Sequence, residues 1–274
     1  MKHFFAFICL SIAVSVSAYD PGQKPVRNET PKQLQDVGIF ENPGVSLDLQ
    51  APFRDQNGQD VTLAKYFTSS KPVLLALIYY KCPNLCNFQL NGLTKALKEM
   101  KWTVGKEFSL VAISIDAKET PEIASKKRDA YLKEYARVEA DKGWHFLTGP
   151  EESIHKISAQ VGFRFKWNEE TEQWAHSAAT YVMTPDGKLS RYLYGIGYEA
   201  KTLRLSLVEA SQGKIGDIVD RFVLFCFQFN PEKNQYTLYA YNLMRVAASI
   251  TVLFLGIFLF TYWNNQNKKE PQGA

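Results

Sequence analysis

The stretch that most constrains this chain is residues 73–86, where an apolar run stops at two cysteines set four positions apart. Residues 73–80, from Val73 to Tyr80, are long enough for one buried strand and too short for a typical buried helix. The run breaks at Lys81-Cys82-Pro83, and Leu90, Leu93, Leu97 and Met100 then recur at three- and four-residue steps, a helical period. Pro83 suits the first turn of that helix, where its missing N–H costs nothing. Cys82 is therefore expected at the helix entrance, with Cys86 one turn further along the same face. Thiols at the positive end of a helix are drawn toward thiolates. Such a pair can bind a soft metal or close reversibly to a disulfide.

The chain around this stretch alternates strands and helices. Residues 108–116 and 144–147 read as further strands, and Thr120-Pro121-Glu122 opens a helix with a cap residue, a first-turn proline and an acid. A helix beginning at Pro150 sets Ile154, Ile157 and Val161 on one face. Residues 178–183 and 189–194 form a hairpin across Pro185-Asp186-Gly187, and residues 200–211 close with a helix. This order predicts an α/β fold with a mostly parallel sheet covered on both faces and an antiparallel pair at its end. A dithiol where the first core strand meets its helix is the thioredoxin-like arrangement. Asn57-Gly58 inside residues 52–63 adds an N-terminal β-hairpin extension.

The ends of the chain are of another kind. Residues 1–18 have a basic start, an apolar stretch and a Val16-Ser17-Ala18 finish, the pattern of a cleaved signal peptide. Cleavage after Ala18 removes Cys9 and leaves Cys82, Cys86 and Cys226, an odd set that argues for a working pair plus a separate thiol. Residues 246–263 carry no charge and sit between Tyr239, Tyr241, Tyr262 and Trp263, as a transmembrane helix with an aromatic belt would. Lys268 and Lys269 follow it. The expected organisation is a signal peptide over 1–18, an extended lead-in over 19–38 and a thioredoxin-like domain over 39–212. A juxtamembrane segment over 213–242, one membrane span over 243–264 and a cytoplasmic tail over 265–274 complete it. The domain is then expected on the periplasmic side of a cell inner membrane. A formal charge of +4 with acids and bases interspersed, and no basic stripe, argues against nucleic-acid binding.

Four histidines are available for chemistry. His3 leaves with the signal, while His145 in a short strand and His155 on a helix read as structural or solvent-facing. His176 precedes the strand at 178–183, which in a thioredoxin-like sheet lies beside the strand feeding the dithiol. No proline stands just before that strand, where thiol oxidoreductases of this fold place one, and a histidine there favours a metal site. Cys82, Cys86 and His176 form a soft three-ligand set suited to Cu(I), and to Cu(II) with an added oxygen ligand. A structural zinc would demand a fourth protein ligand. Asp116 ends a strand beside the dithiol strand and is a candidate for supporting the ligands, although capping a strand end is its commoner use. Lys118 and Glu119 read as a solvated loop.

These residues together resemble the Sco/SenC family of copper-binding cytochrome oxidase assembly proteins. The likeness is carried by Tyr79-Tyr80-Lys81-Cys82-Pro83-Asn84-Leu85-Cys86, Ile113-Ser114-Ile115-Asp116, Gly143-Trp144-His145-Phe146-Leu147-Thr148-Gly149 and Ala175-His176-Ser177-Ala178. It continues through Arg191-Tyr192-Leu193-Tyr194-Gly195 and residues 207–216, including the variant with a C-terminal membrane anchor. The resemblance implies one copper ion held by Cys82, Cys86 and His176. It further implies a copper donor protein, and delivery to the dinuclear copper site in subunit II of a haem-copper oxidase, or maintenance of its thiols. The chain departs from the family at Lys81, and at Cys226-Phe227-Gln228-Phe229-Asn230-Pro231, which lacks a histidine and an acid for a second metal. A thiol–disulfide reductase acting on exported partners is the competing reading. A thiol peroxidase lacks its threonine and arginine setting here.

Overall fold

The computed structural model describes residues 36–67, 70–82, 85–211, 227–230, 235–238 and 240–267. Strand β1 (Gly38–Ile39) precedes a hairpin of β2 (Pro52–Arg54) and β3 (Asp60–Thr62). Asp55 shapes its turn by accepting the amides of Asn57 and Gln59, and Gly58 takes the φ of 77° that the Asn-Gly step demands. The core then runs β4 (Val73–Ile78), α1 (Leu85–Glu99), β5 (Ser109–Ser114), α2 (Pro121–Tyr135), β6 (Trp144–Leu147) and α3 (Glu151–Gln160). Next come β7 (Phe163–Arg164), β8 (Lys166–Asn168), β9 (Gln173–Ala175), β10 (Ala179–Met183), β11 (Leu189–Tyr194) and α4 (Ala200–Ala210). Strands β12 (Phe227–Asn230) and β13 (Gln235–Leu238) pair antiparallel before helix α5 (Ala240–Asn267).

The five-stranded sheet has the order β11-β10-β4-β5-β6. β4, β5 and β6 are parallel, and β10 and β11 add the antiparallel pair at one side, as the alternation of elements predicts. All six residues of β4 are buried, which is why this strand lacks polar alternation. The crossovers from β4 to β5 and from β5 to β6 carry α1 and α2, which pack on each other on one face. α4 packs against α1, β10 and β11 on the first face. α2 buries a stripe of Ala124, Arg128, Tyr131 and Tyr135. Arg128 can lie in it because its guanidinium donates to the carbonyls of Trp144 (2.8 Å) and Asp141 (2.7 Å). Thr120 holds the N-cap position of α2 and Pro121 its first turn, but the Thr120 hydroxyl makes no capping bond.

Two local readings change. Residues 170–177, which lead into β10 and read as a loop, instead contain β9, paired with β8 in a hairpin held by the cross-strand pair Trp167 and Trp174 with ring centroids 5.3 Å apart. His176 thus leaves a paired strand, a firmer platform than a free loop. Glu119 is not solvated: it is 5% exposed. α5 contains the uncharged residues 246–263. Among the described residues no helix is long and apolar enough to cross a membrane. The signal peptide, the lead-in up to residue 35, Pro83, Cys226, most of the juxtamembrane segment and the tail from Lys268 lie outside the described residues.

Candidate metal centre

Where β4 ends, the chain leaves the sheet at Tyr79 and turns, the Cys82 amide donating to the Tyr79 carbonyl at 3.3 Å. Cys82 closes this turn, and Cys86 lies in the first turn of α1, its amide donating to Cys82 Sγ at 3.3 Å. Asn87 Nδ2 holds the Cys82 carbonyl at 2.9 Å. From the other side, β10 pairs with β4 through Thr180↔Ala76, which brings the segment before β10 to the same end of the sheet. His176 Nε2 stands 3.2 Å from Cys86 Sγ, and the ligand atoms of Cys82, Cys86 and His176 lie within 4.8 Å of one another. Both cysteines are free thiols.

The tautomer of His176 follows from its other contact. Its Nδ1 lies 3.0 Å from the Ser177 carbonyl, which can only accept, so Nδ1 carries the proton. This leaves Nε2 as the nitrogen that faces the sulfurs and could bind a metal. Tyr79 meets the ring edge-on with centroids 5.9 Å apart, and Phe163 flanks it at the same distance.

The two sulfurs are unlike. A hydrogen bond from Cys86 draws the Cys82 thiol far below the ordinary thiol range, with His176, the Cys86 amide and Tyr79 adding to it against the cost of burial. Burial pushes the Cys86 thiol far up, and the adjoining Cys82 sulfur adds to the rise. The pair therefore shares one proton, kept on Cys86. Lys127 of α2 is half-buried close to both sulfurs and hydrogen-bonds Asn87 Oδ1.

One contact sets the close packing around the site. A Cβ on Gly92 would stand 1.7 Å from the Ile196 carbonyl oxygen, so only glycine lets residues 195–197 lie on α1. Gly195 in turn donates to the Ala178 carbonyl at 2.9 Å, tying that loop to the segment that carries His176.

The other sequence candidates fall elsewhere. Every hydrogen bond of Asp116 lies within residues 114–119, and none reaches a sulfur. His145 packs at a tilt against Tyr66 with centroids 4.5 Å apart, and His155 is exposed beside Glu151. Sequence reasoning missed Glu119 and Lys127. An acid directly before the Thr120-Pro121 helix start was the available signal for Glu119. Lys127 offered none, because its place follows from how α2 packs on α1.

A parallel sheet with an antiparallel pair, and a dithiol joined by an imidazole at the end of its central strand, define a thioredoxin-like fold with three soft donors that could hold a metal ion. The SCO1/SenC family profile matches residues 45–205, and the chain belongs to that family. Among curated proteins nothing matches the chain. Among solved structures, a protein of Aquifex aeolicus VF5 is 24% identical, with a TM-score of 0.54 over 62% of this chain and 94% of its own, and shares the fold. Arabidopsis thaliana ScoI with copper bound is 22% identical over 62% of this chain and 99% of its own, with a TM-score of 0.47. Yeast Sco1 with copper bound is 18% identical over 64% and 96%, with a TM-score of 0.42.

Proposed function

We propose that this chain binds one copper ion through Cys82, Cys86 and His176 and serves cytochrome c oxidase assembly. In this reading copper is cargo, delivered to the dinuclear copper site of oxidase subunit II. The observation that carries the proposal is the convergence of the two sulfurs and a ring nitrogen of His176 within 4.8 Å of one another. Two sulfurs and one imidazole match Cu(I), which accepts three soft donors, and leave a structural zinc one ligand short. Family membership supports the same reading.

The proposal also places the domain on the periplasmic side of an inner membrane, held by α5. What supports this is the uncharged run of residues 246–263 within a 28-residue helix, and the exposure of apolar side chains such as Phe254, Phe258 and Phe260. The unequal thiols favour a second reading, a dithiol reductase: Cys82 has the low-pKa sulfur of a nucleophile and Cys86 the buried partner that resolves.

Copper titration of the full chain in detergent, read by competition with a chromophoric chelator, tests the first reading. One Cu(I) per chain and a sulfur-to-copper absorption with Cu(II) are expected. Wild-type copper binding by His176→Ala, with disulfide-exchange activity abolished by Cys86→Ser, would replace it with the reductase. Protease access to the domain in intact spheroplasts tests the topology, and a protected domain overturns it.

A further inference from the structure

β4 and β5 end level, at the register pair Ile78↔Ser114. Beyond that point the chain at Tyr80 and Lys81 has left the ladder, so the two amides leading into Cys82 need other acceptors. They find them on one side chain. Glu119 Oε2 accepts the Tyr80 amide at 2.7 Å, and Oε1 accepts the Lys81 amide at 2.7 Å. The Ser114 hydroxyl donates to Oε2 at 2.6 Å. Glu119 is 5% exposed, and a carboxylate so placed is held by charge-assisted bonds of a kind stronger than neutral ones. It stands immediately before the N-cap of α2, where the helix dipole favours a negative group. Its own amide donates to the Asp116 carbonyl at 3.0 Å, which fixes the loop that carries it.

The consequence reaches the metal centre through the backbone. Tyr80 is anchored below by its hydroxyl, which donates to the carbonyls of Leu147 (2.7 Å) and Ala112 (3.0 Å). Glu119 fixes the same residue and the next one from above. Cys82 follows after a single peptide, so the position of its sulfur against Cys86 and His176 depends on that grip.

We infer that Glu119 is a positioning residue for the metal centre, clamping the Tyr80 and Lys81 amides so that Cys82 Sγ is presented to Cys86 and His176. The inference rests on the copper-site reading but makes a separate demand on the chain. Glutamine keeps the shape of Glu119 and not its function. An amide NH2 in place of Oε1 would face the Lys81 N–H, and in place of Oε2 the Tyr80 N–H, so either orientation sets donor against donor. Ser114→Ala removes the hydroxyl that donates to Oε2 and accepts the Asp116 amide, and leaves both clamped amides their acceptors.

The test compares E119Q and S114A in the full chain, first without metal. Amide exchange at Tyr80 and Lys81 in E119Q is expected to quicken tenfold or more, with β5 amides and the denaturation midpoint little changed, while S114A keeps both amides protected. With copper, E119Q is expected to bind Cu(I) at least tenfold more weakly and to shift the sulfur-to-copper absorption of Cu(II), and S114A to match wild type. Should E119Q fail to fold, E119D takes its place. It keeps the charge, shortens the reach and is expected to be intermediate in both readouts. Wild-type exchange at Tyr80 and Lys81, or wild-type copper affinity and absorption despite their deprotection, overturns the inference. If wild type itself binds no copper, the copper reading falls. Amide exchange and the alkylation rate of Cys82 then decide the clamp alone: both changed in E119Q supports it, both unchanged overturns it.

Discussion

Two imidazoles of this domain lie in surroundings that look alike and differ in what faces the ring. His176, at the end of the sheet where β4 delivers the dithiol, and His145, on the edge strand β6, are both partly buried against an aromatic ring. Around His145 are Tyr66, Lys65, Asp55 and Arg128. Burial, with the nearby cations, lowers its pKa to about 4. Around His176 are two sulfurs, and its distal nitrogen is pinned to a carbonyl so that the near one faces them. Burial alone therefore makes a neutral packing histidine. A ligand needs convergent donors and a fixed tautomer, and both come from backbone that has left the regular sheet.

The largest expected effects separate these two regions by metal. Cys82→Ser and His176→Ala should each abolish tight Cu(II) binding and its sulfur-to-copper absorption. His176→Ala should weaken Cu(I) less than Cys82→Ser, because two thiolates can still hold Cu(I) in a near-linear arrangement. His145→Ala should leave copper binding unchanged and lower only stability. Equal copper loss from His145→Ala and His176→Ala would erase the comparison.

Next in size is a contrast within the centre itself. In the reduced, metal-free chain at pH 6 to 8, iodoacetamide should label Cys82 first. Its rate should barely depend on pH, because the Cys82 sulfur is already a thiolate well below that window. Cys86 should react at least tenfold more slowly, its sulfur being protonated and fully buried. Peptide mapping tells these sites from Cys226. A Cys82 rate that rises about tenfold per pH unit, as an unperturbed thiol's does, would show that the pair does not share its proton as described.

Much of this comparison was legible in the sequence. The apolar run, the break at Lys81 and the helical period place both cysteines, and the strand after His176 places the imidazole beside them. Those signals are local, or depend only on strand order. The hairpin that carries His176 was hidden because its tip, Asn168-Glu169-Glu170-Thr171-Glu172, is as polar as any loop, and its strands are three residues each. Glu119 was hidden for another reason. Nothing within a few residues of it says that β4 and β5 end level, so its reach to Tyr80 and Lys81 exists only once the parallel register is set. Asp116, the residue a strand-end rule picks out, turns back on its own loop instead.

A smaller effect should appear at His145 as acid sensitivity. Its folded pKa, about 4, lies below the ordinary value of 6.5, so folding favours the neutral ring. That stability is fully present above about pH 6.5 and is lost as pH falls through about 4, by roughly 3 kcal/mol at most. His145→Phe keeps a ring against Tyr66 and removes the proton. Urea unfolding of both proteins at pH 7 and pH 4.5 should show the wild-type value falling more. An identical fall in both would mean that the carboxylates alone account for the acid loss.

The smallest expected effect belongs to His155, the third histidine of the folded domain. It lies on α3 with its side chain 57% exposed and Nε2 3.4 Å from Glu151 Oε1, one helical turn before it. A polar contact of that spacing on a solvated helix contributes at most about 0.5 kcal/mol. The ring also stacks on Phe165 with centroids 5.2 Å apart, a contact at the surface. His155→Ala should therefore cost less than about 1 kcal/mol in urea unfolding, and should leave copper binding and Cys82 alkylation untouched. Phe165 gives the result its force, because that ring also packs edge-on against Trp174 of the hairpin that carries His176, with centroids 5.3 Å apart. A change in the copper spectrum of His155→Ala would mean that the stack on Phe165 helps to set the hairpin, and the metal centre would then extend past the residues that touch its sulfurs. An unchanged spectrum confines the centre to β4, α1, the Glu119 loop and the lead into β10.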